Sequence, residues 1–228
     1  MRRNEFLRKS LGMVVLAPLM ISSNKDPWGW EETSNCSVTP SETAGPFPTK
    51  NPGSLTSTDI RSDRAGVVMA ALITVKNKSA NCAAMAGAMV DIWHCDAGGN
   101  YSEYGGAGMQ ATDYKGVHFL RGRQTTDANG QVRFTTIFPG WYPGRAVHIH
   151  VHIFDASGKS LLVTQIAFPA AVCDTVFTTA TDIYKKGKAD TTNERDNVFS
   201  DGFANEMASI SGNVSTGYTL MHTIVVNA

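Results

Sequence analysis

Apolar and polar residues alternate in short runs along most of the chain from about residue 66 onward. The clearest run is His148–Phe154, which reads His-Ile-His-Val-His-Ile-Phe and has the period of two that is typical of a β-strand with one buried face. Turn-forming sequences separate such runs, as in Asp127-Ala128-Asn129-Gly130. The same reasoning predicts further strands at Gly66–Lys76, Ala88–His94, Gln131–Phe138, Leu161–Phe168 and Tyr218–Val226.

Helix-like stretches are few, and we predict two, at Thr178–Lys186 and Phe203–Ser211. Many short strands with turn signals between them indicate a mainly β protein with an antiparallel β-sandwich core. Long loops must then join the strands. The glycine-rich stretch Gly98–Gly108 is predicted to be a functional loop, so the fold class is a β-sandwich with long active-site loops and few short helices.

The first 60 residues have a different texture. Arg2-Arg3 precedes an uncharged stretch from Leu11 to Ile21, which is the layout of a secretory signal, and the run from Arg3 to Lys9 is similar to a twin-arginine signal. A frayed amphipathic start or a retained membrane anchor is the alternative. Because Ser, Thr, Pro, Asn and Gly then dominate, we divide the chain into an export signal (1–25), an extended arm (26–60) and a sandwich domain (61–228), and expect a periplasmic or extracellular protein.

Composition excludes several classes of protein. Charged residues make up 18% of the 228 residues, without long polar repeats, which argues against wholesale disorder. Five of the 20 basic and one of the 20 acidic side chains lie in residues 1–25, so the rest of the chain is net negative and nucleic acid is not an expected partner. The longest apolar run is shorter than the roughly 18–20 residues that span a bilayer, and we expect no stable membrane span.

Four cysteines follow the leader, at Cys36, Cys82, Cys95 and Cys173. In an oxidising compartment they could form two disulfides, with three possible connectivities. Four buried free thiols are the alternative. The sequence contains no Cys-x-x-Cys pair, so a zinc knuckle is not predicted.

The predicted strand His148–Phe154 also carries candidate metal ligands. Residues two apart share a strand face about 6.5–7 Å apart, so His148 and His150 can converge on one metal ion. His148 and His152 are about 13 Å apart on the same arithmetic, too far to share an ion easily. A solvated row of polar side chains is the alternative, and zinc, copper and iron all remain open at this point.

Several other motifs, in a fixed order along the chain, accompany the His-x-His strand. A tyrosine follows a Gly-Gly-Asn loop, a second tyrosine follows a tryptophan, and Arg-x-x-His-x-His comes next, an order that resembles the intradiol ring-cleavage dioxygenases. The N-terminal segment from Thr39 to Phe47 and the tripeptide Asp59-Ile60-Arg61 are similar to segments of the same family. So is the strand motif Thr164-Gln165-Ile166-Ala167-Phe168.

The resemblance implies a nonheme Fe(III) site with the four ligands Tyr101, Tyr142, His148 and His150. It implies that Tyr142 is displaced by the substrate and takes its proton, while Tyr101 stays bound. Arg145 matches the active-site arginine and Gln165 the pocket glutamine. We expect a catechol-type substrate and O2, with the ring opened between the two hydroxylated carbons to a muconate-type diacid.

Two expectations concern details of this assignment. A buried guanidinium needs an anion, and we expect the bound substrate to supply it for Arg145, with a surface carboxylate as the alternative. The family also contains homo-oligomers, so a homo-oligomer is compatible with the resemblance. Two other functions stay open: a secreted β-sandwich binding module, and a zinc or copper protein that uses the His-x-His strand alone.

Overall fold

Two β-sheets pack against each other in the part of the chain that the computed structural model describes, residues 36–228. The export signal predicted for residues 1–25 lies outside these residues. The first sheet contains β1 (Val68–Asn77), β2 (Ala83–Ala84), β5 (Gln131–Ile137), β8 (Ser209–Asn213) and β9 (Gly217–Val226). The second contains β3 (Met89–Trp93), β4 (Arg121–Thr125), β6 (His148–Phe154) and β7 (Ser160–Ala167).

The strand order is β2-β1-β9-β8 in the first sheet, where β5 also pairs with β1, and β4-β3-β6-β7 in the second. The strands that meet in the core have the predicted alternation. On β1, Met69, Ala71, Ile73 and Val75 are fully buried while their neighbours are less so. The apolar positions of β6 belong to the same core cluster, so one face of each sheet lines the sandwich interior. The mainly β sandwich predicted from the sequence is therefore confirmed.

One strand pair departs from the antiparallel expectation. β1 and β9 run parallel, with Met69 opposite Tyr218 and Asn77 opposite Val226. The chain visits the second sheet before β9 returns, and so long a connection can bring a strand back in either direction. The other pairs between named strands of residues 36–228 are antiparallel.

Besides the two-residue β2, two strands escaped prediction because their sequences lack an apolar pattern. β4 reads Arg-Gly-Arg-Gln-Thr, and Gly122 is needed because a Cβ there would lie 2.6 Å from Cγ2 of Ile60. β8 is mostly exposed, so its side chains carry no alternation. Both are edge strands that pair with a well-patterned neighbour, and pairing rather than burial decides their structure.

The two predicted helices were wrong. The described residues contain one α-helix, α1 (Ala170–Thr179), and turns follow it where we predicted a helix over Thr178–Lys186. The buried side chains of Val176 and Phe177 anchor α1 in the core, and it begins directly after Pro169. The stretch predicted as a helix at Phe203–Ser211 instead forms a turn and the start of β8.

Residues 36–60 run along the sandwich with one short 3-10 turn, at Pro52–Ser54. The backbone of Thr39 bonds β9 and that of Glu42 bonds β7, so this segment crosses both sheets. A disulfide joins Cys36 to Cys82, whereas Cys95 and Cys173 are buried free thiols. The expectation of two disulfides is thus met by one. Within residues 36–228 no helix has the length and apolar character needed to cross a membrane.

Candidate active site

The six side chains singled out in the sequence all lie buried in the structure. His148 and His150 stand on β6 and Gln165 on the neighbouring β7, while Tyr142 and Arg145 come from the loop that enters β6. Tyr101 comes from the long loop between β3 and β4. β3 is the neighbour of β6 on the side away from β7. The loop that follows β3 can therefore bring Tyr101 close to the histidines of β6.

The two histidines direct their ring nitrogens at each other. Nε2 of His148 lies 3.2 Å from Nε2 of His150, as the two-residue strand spacing predicts for side chains that share a face. Nδ1 of His148 donates to the backbone oxygen of Ala146 at 2.6 Å. A carbonyl can only accept, so the proton of His148 is on Nδ1 and its Nε2 presents a lone pair.

Both tyrosines border this pair of imidazoles. The Tyr142 hydroxyl lies 3.3 Å from Nε2 of His148. The Tyr101 ring is 5.8 Å from the Tyr142 ring and 6.1 Å from the His150 ring, centroid to centroid. Tyr101 is fully buried, and its hydroxyl has no hydrogen-bond partner within residues 36–228. Two imidazoles and two phenols therefore share one small volume.

Burial sets the protonation states of this cluster. It lowers the pKa of His148 to about 3, with a smaller contribution from Arg145, and it lowers the pKa of His150 well below its usual value. Burial, together with the neighbouring Tyr142, raises the pKa of Tyr101 well above that of free tyrosine, and burial likewise raises the pKa of Tyr142. Without a cation, both imidazoles are neutral and both phenols keep their protons.

These residues fit a ferric ion. A neutral imidazole with an unprotonated ring nitrogen, such as Nε2 of His148, is a ready metal ligand. A buried phenol without a hydrogen-bond partner is costly. A highly charged cation beside it would remove its proton and would itself become the partner of the phenol oxygen. Among the described residues no group of three or more His, Cys, Asp and Glu side chains could hold a metal. The two phenols are the oxygen groups that could serve as ligands beside the two imidazoles.

Arg145 has an anionic partner that we did not predict. Its Nε lies 2.9 Å from both carboxylate oxygens of Asp196, which also accepts the backbone N–H of Ala146 at 2.8 Å. The expectation that the substrate supplies the anion for Arg145 is therefore wrong. The surface-carboxylate alternative is wrong as well, because the Asp196 side chain is fully buried.

The remaining guanidinium nitrogens of Arg145 face the site. Nη1 donates to the Tyr142 hydroxyl at 3.3 Å, and Nη2 donates to Oε1 of Gln165 at 2.5 Å. Gln165 in turn donates from Nε2 to the backbone oxygen of Thr43. Hydrogen bonds thus connect Asp196 to Arg145 and then divide. One branch reaches the candidate ligand Tyr142, and the other passes through Gln165 to the N-terminal segment.

Neighbouring residues pack closely against the imidazole of His150 and against both tyrosine rings. The Trp93 ring stacks on His150 at 4.9 Å with an interplanar angle of 4°. The backbone of Gly45 approaches the same imidazole so closely that a Cβ would lie 2.9 Å from its Cε1, and Gly45 has a φ of +67°. Phe47 stacks on Tyr101 at 4.8 Å and meets Tyr142 edge-on. These residues hold the rings of three candidate ligands.

His152, which the strand spacing sets apart from the ligand pair, and three further imidazole or phenol side chains lie outside the cluster. His152 shares the β6 face but bonds the Ser160 hydroxyl through Nε2 at 2.7 Å. His94 is buried between the backbone oxygen of Cys95 and the Thr136 hydroxyl. Tyr104 donates to the backbone of Pro48, and Tyr114 packs against Phe119.

The residues that sequence reasoning missed have support roles, among them Asp196, Gln110, Trp93 and Arg121. Trp93 lies one residue before the end of the predicted strand Ala88–His94, but nothing in the sequence showed that it faces His150. Asp196 follows a short 3-10 turn 51 residues after Arg145, where no local pattern marks it.

Comparisons with known proteins agree with this geometry. A family model described as Dioxygenase matches residues 45–204, more than half of the chain. The beta chain of protocatechuate 3,4-dioxygenase from Burkholderia cepacia is 38% identical over 89 residues, which span 36% of this chain and 37% of that protein.

Two solved structures are similar over most of the chain. The intradiol ring-cleavage dioxygenase from Tetranychus urticae is 28% identical with a TM-score of 0.74, covering 84% of this chain and 95% of that one. The dioxygenase domain of a dioxygenase carbohydrate-binding protein fusion from Streptomyces sp. SirexAA-E is 25% identical with a TM-score of 0.61, covering 84% and 99%. With the matched family model, these similarities show that the chain belongs to the intradiol ring-cleavage dioxygenase family.

Proposed function

We propose that this protein is a nonheme Fe(III)-dependent dioxygenase that opens a catechol-type ring between its two hydroxylated carbons. The product is a muconate-type diacid that contains both atoms of O2. The observation that carries the proposal is the convergence of the Tyr142 hydroxyl with the Nε2 atoms of His148 and His150, beside the partnerless hydroxyl of Tyr101. Tyr101, Tyr142, His148 and His150 would hold the iron.

Ferric iron, when bound, supplies the positive charge that ionises phenols and withdraws electrons from a chelated catechol, which makes a ring carbon reactive toward O2. The two tyrosines differ in their access to substrate. Tyr101 is fully buried, whereas Tyr142 is 9% exposed. With iron bound, Tyr142 would therefore be the tyrosine that an incoming catechol can reach, and its Oη could accept the proton that the catechol hydroxyl gives up.

Arg145 acts on that same oxygen. Its Nη1 donates to the Tyr142 hydroxyl, which favours the phenolate form before the substrate arrives. Once Tyr142 moves, the guanidinium faces the space that the substrate enters and can stabilise negative charge that develops there. Asp196 holds the plane of the guanidinium in place, and Gln165 fixes its other end.

The apolar wall of the site keeps water away from these groups. Phe47, Trp93 and Tyr101 are buried in one cluster with Tyr142. A water-poor site strengthens each electrostatic contact of Arg145 and discourages side reactions. Phe47 comes from the N-terminal segment, so we propose that this segment completes the active site of the domain that follows it.

Colour and oxygen uptake test the proposal together. Purified protein loaded with ferric iron should be reddish, because tyrosinate-to-iron charge transfer absorbs visible light, and should consume one O2 per catechol with growth of the ultraviolet absorption of a muconate. Tyr114→Phe, outside the cluster, is the matched control and should keep both properties. A protein that binds zinc or copper, lacks the reddish ferric band and consumes no O2 with any catechol would instead favour the His-x-His alternative.

The substrate is tested with the same assay. The name of the Burkholderia cepacia relative specifies protocatechuate, and we propose that the substrate shares its paired ring hydroxyls. Catechol, protocatechuate, 4-substituted catechols and hydroxyquinol should be compared by kcat/KM. Ring opening of none of them would contradict the proposed function.

We also propose that the protein is exported by the twin-arginine-like leader. The Cys36–Cys82 disulfide supports this proposal, because such bonds persist in oxidising compartments. Arg2→Lys/Arg3→Lys in the full chain should retain the protein in the cytoplasm, as measured by cell fractionation. Normal export of that variant would contradict the twin-arginine route.

A further inference from the structure

The loop that carries Tyr101 has little regular structure of its own. It spans the residues between β3 and β4 and contains Gly105, Gly106 and Gly108, all with positive φ. Such a loop cannot hold a buried side chain in place by itself, because glycine-rich backbone is conformationally free. The Tyr101 side chain also lacks a hydrogen bond within residues 36–228, so its position depends on its backbone and on ring packing.

A single buried side chain, Gln110, satisfies the backbone of Tyr101. Its Oε1 accepts the Tyr101 N–H at 2.6 Å, and its Nε2 donates to the Tyr101 carbonyl oxygen at 2.8 Å. The amide therefore pairs with both polar groups of one residue, as the backbone of a neighbouring strand would. Gln110 is 5% exposed, so water cannot easily replace these bonds.

The same amide ties the rest of the loop to this point. Nε2 of Gln110 also lies 3.0 Å from the Tyr104 carbonyl oxygen and 3.1 Å from that of Thr112. On the other side, Arg121 of β4 holds the next residue, Ser102, through its hydroxyl and its carbonyl oxygen. Tyr101 is thus held by Gln110 from within the loop, and its neighbour is braced from the sheet.

We propose that Gln110 is a positioning residue that holds the Tyr101 phenol where it can bind the metal. This inference rests on the proposed function, in which Tyr101 is an iron ligand. The position requires an amide: it must accept one backbone N–H and donate toward three carbonyl oxygens. A carboxylate of the same shape could accept the N–H, but it would face the three carbonyl oxygens without a proton to offer.

The test compares Gln110→Glu and Gln110→Ala with the wild-type protein by two measurements. In iron-free protein, hydrogen exchange of the Tyr101 amide should become at least about tenfold faster in Gln110→Ala, since a lost bond worth ~1.4 kcal/mol is a factor of ten. It should change less in Gln110→Glu, whose carboxylate can still accept the Tyr101 N–H. In iron-loaded protein, the charge-transfer band should shift or weaken, and iron should dissociate more readily. Gln110→Asn serves as a milder variant if either of the others fails to fold.

Gln124→Ala is the matched control, because within residues 36–228 the Gln124 side chain makes a single hydrogen bond, to the backbone oxygen of Thr56 at the surface. It should leave both the exchange of the Tyr101 amide and the visible band unchanged. Unchanged exchange in Gln110→Ala, together with an unchanged band in Gln110→Ala and Gln110→Glu, would overturn the inference while leaving the proposed function intact. A wild-type protein that takes up ferric iron without colour would overturn the proposed function, whatever the exchange data show about Gln110.

Discussion

Nε of Arg145 lies 2.9 Å from each carboxylate oxygen of Asp196, a residue 51 positions later in the chain. The Asp196 side chain is fully buried and that of Arg145 is 10% exposed. The arginine thus enters the site with its charge already paired, and its two terminal nitrogens remain free to bind Tyr142 and Gln165. The pair connects the stability of the fold to the chemistry of the site.

Replacement of Arg145 by Met should therefore destabilise the protein. The Asp196 carboxylate would remain buried without its cation, and breaking a buried pair from one side costs about 3–5 kcal/mol. Urea unfolding of iron-free protein measures this. Arg145→Met/Asp196→Asn should recover part of the loss, since the uncharged amide still accepts the Ala146 N–H. Full stability of the single variant would show that the pair contributes little.

The conservative variant Arg145→Lys separates catalysis from folding. Lysine keeps a cation beside Asp196 but cannot donate to Tyr142 and Gln165 in the same forked geometry. We expect most of the stability to remain, while kcat for ring opening falls on the order of a hundredfold. Near-wild-type kcat with the best substrate would refute a catalytic role for Arg145.

The two tyrosines should respond differently to loss of the hydroxyl. Tyr142→Phe should keep iron and colour, because Tyr101 still provides a tyrosinate, but it should turn over poorly. Tyr101→Phe should shift the visible band and weaken iron binding, because the fully buried ligand is lost. Visible spectra, iron content and kcat measure these effects. A colourless, iron-replete Tyr142→Phe protein, or an unchanged spectrum in Tyr101→Phe, contradicts the assignment.

The three histidines of β6 should divide into two ligands and one bystander. His148→Ala and His150→Ala should each lose bound iron, whereas His152→Ala should retain it, because His152 bonds Ser160 rather than the cluster. Iron content after dialysis is the measurement. Equal loss of iron from His152→Ala and His148→Ala would show that the register is wrong.

Gly45→Ala should disturb the site from outside it. The new methyl group would lie 2.9 Å from Cε1 of His150, and alanine is strained at a φ of +67°. We expect a loss of about 1–3 kcal/mol in the free energy of unfolding and weaker iron binding. Gly53→Ala is the control, since a Cβ there has nothing within 4 Å. Equal behaviour of the two variants would contradict the close approach.

Stability should fall on mild acidification in part because of His222. Burial lowers its folded pKa to about 4, whereas an unfolded histidine has a pKa of about 6.5. Between pH 6.5 and 4 the unfolded chain takes up a proton that the folded protein does not, so stability is full above pH 6.5 and is lost as the pH falls. The slope from one such proton is about 1.4 kcal/mol per pH unit.

His222→Gln should remove its share of that slope in iron-free protein, as measured by urea unfolding at several pH values between 4 and 7. His94, whose folded pKa is also about 4 because of burial, should leave a slope of the same sign in the variant. An identical pH dependence in the variant and the wild-type protein would show that His222 is accessible to protons in the folded state.

Local pattern was enough to predict the histidine strand and the shared face of His148 and His150, whereas the resemblance to the family implied Tyr101 and Tyr142 as candidate ligands. The alternation of β6 places His148 and His150 on one face, and their Nε2 atoms lie 3.2 Å apart. Strands with buried apolar residues at every second position, such as β1, could be predicted for the same reason. Burial of every second residue produces an alternation of apolar and polar residues, and this alternation can be recognised without knowing the partner strand.

Long-range contacts decided the rest. Asp196 meets Arg145, Gln110 meets Tyr101, and Cys36 pairs with Cys82 across distances along the chain that no local pattern encodes. β4 and β8 are strands because their backbones form hydrogen bonds with a neighbouring strand, although most of their own residues are polar. The alternation of buried and exposed side chains along a strand can be recognised from residues that are neighbours in the sequence. The hydrogen-bond partner of a side chain is determined only when the sheets pack and bring distant loops together.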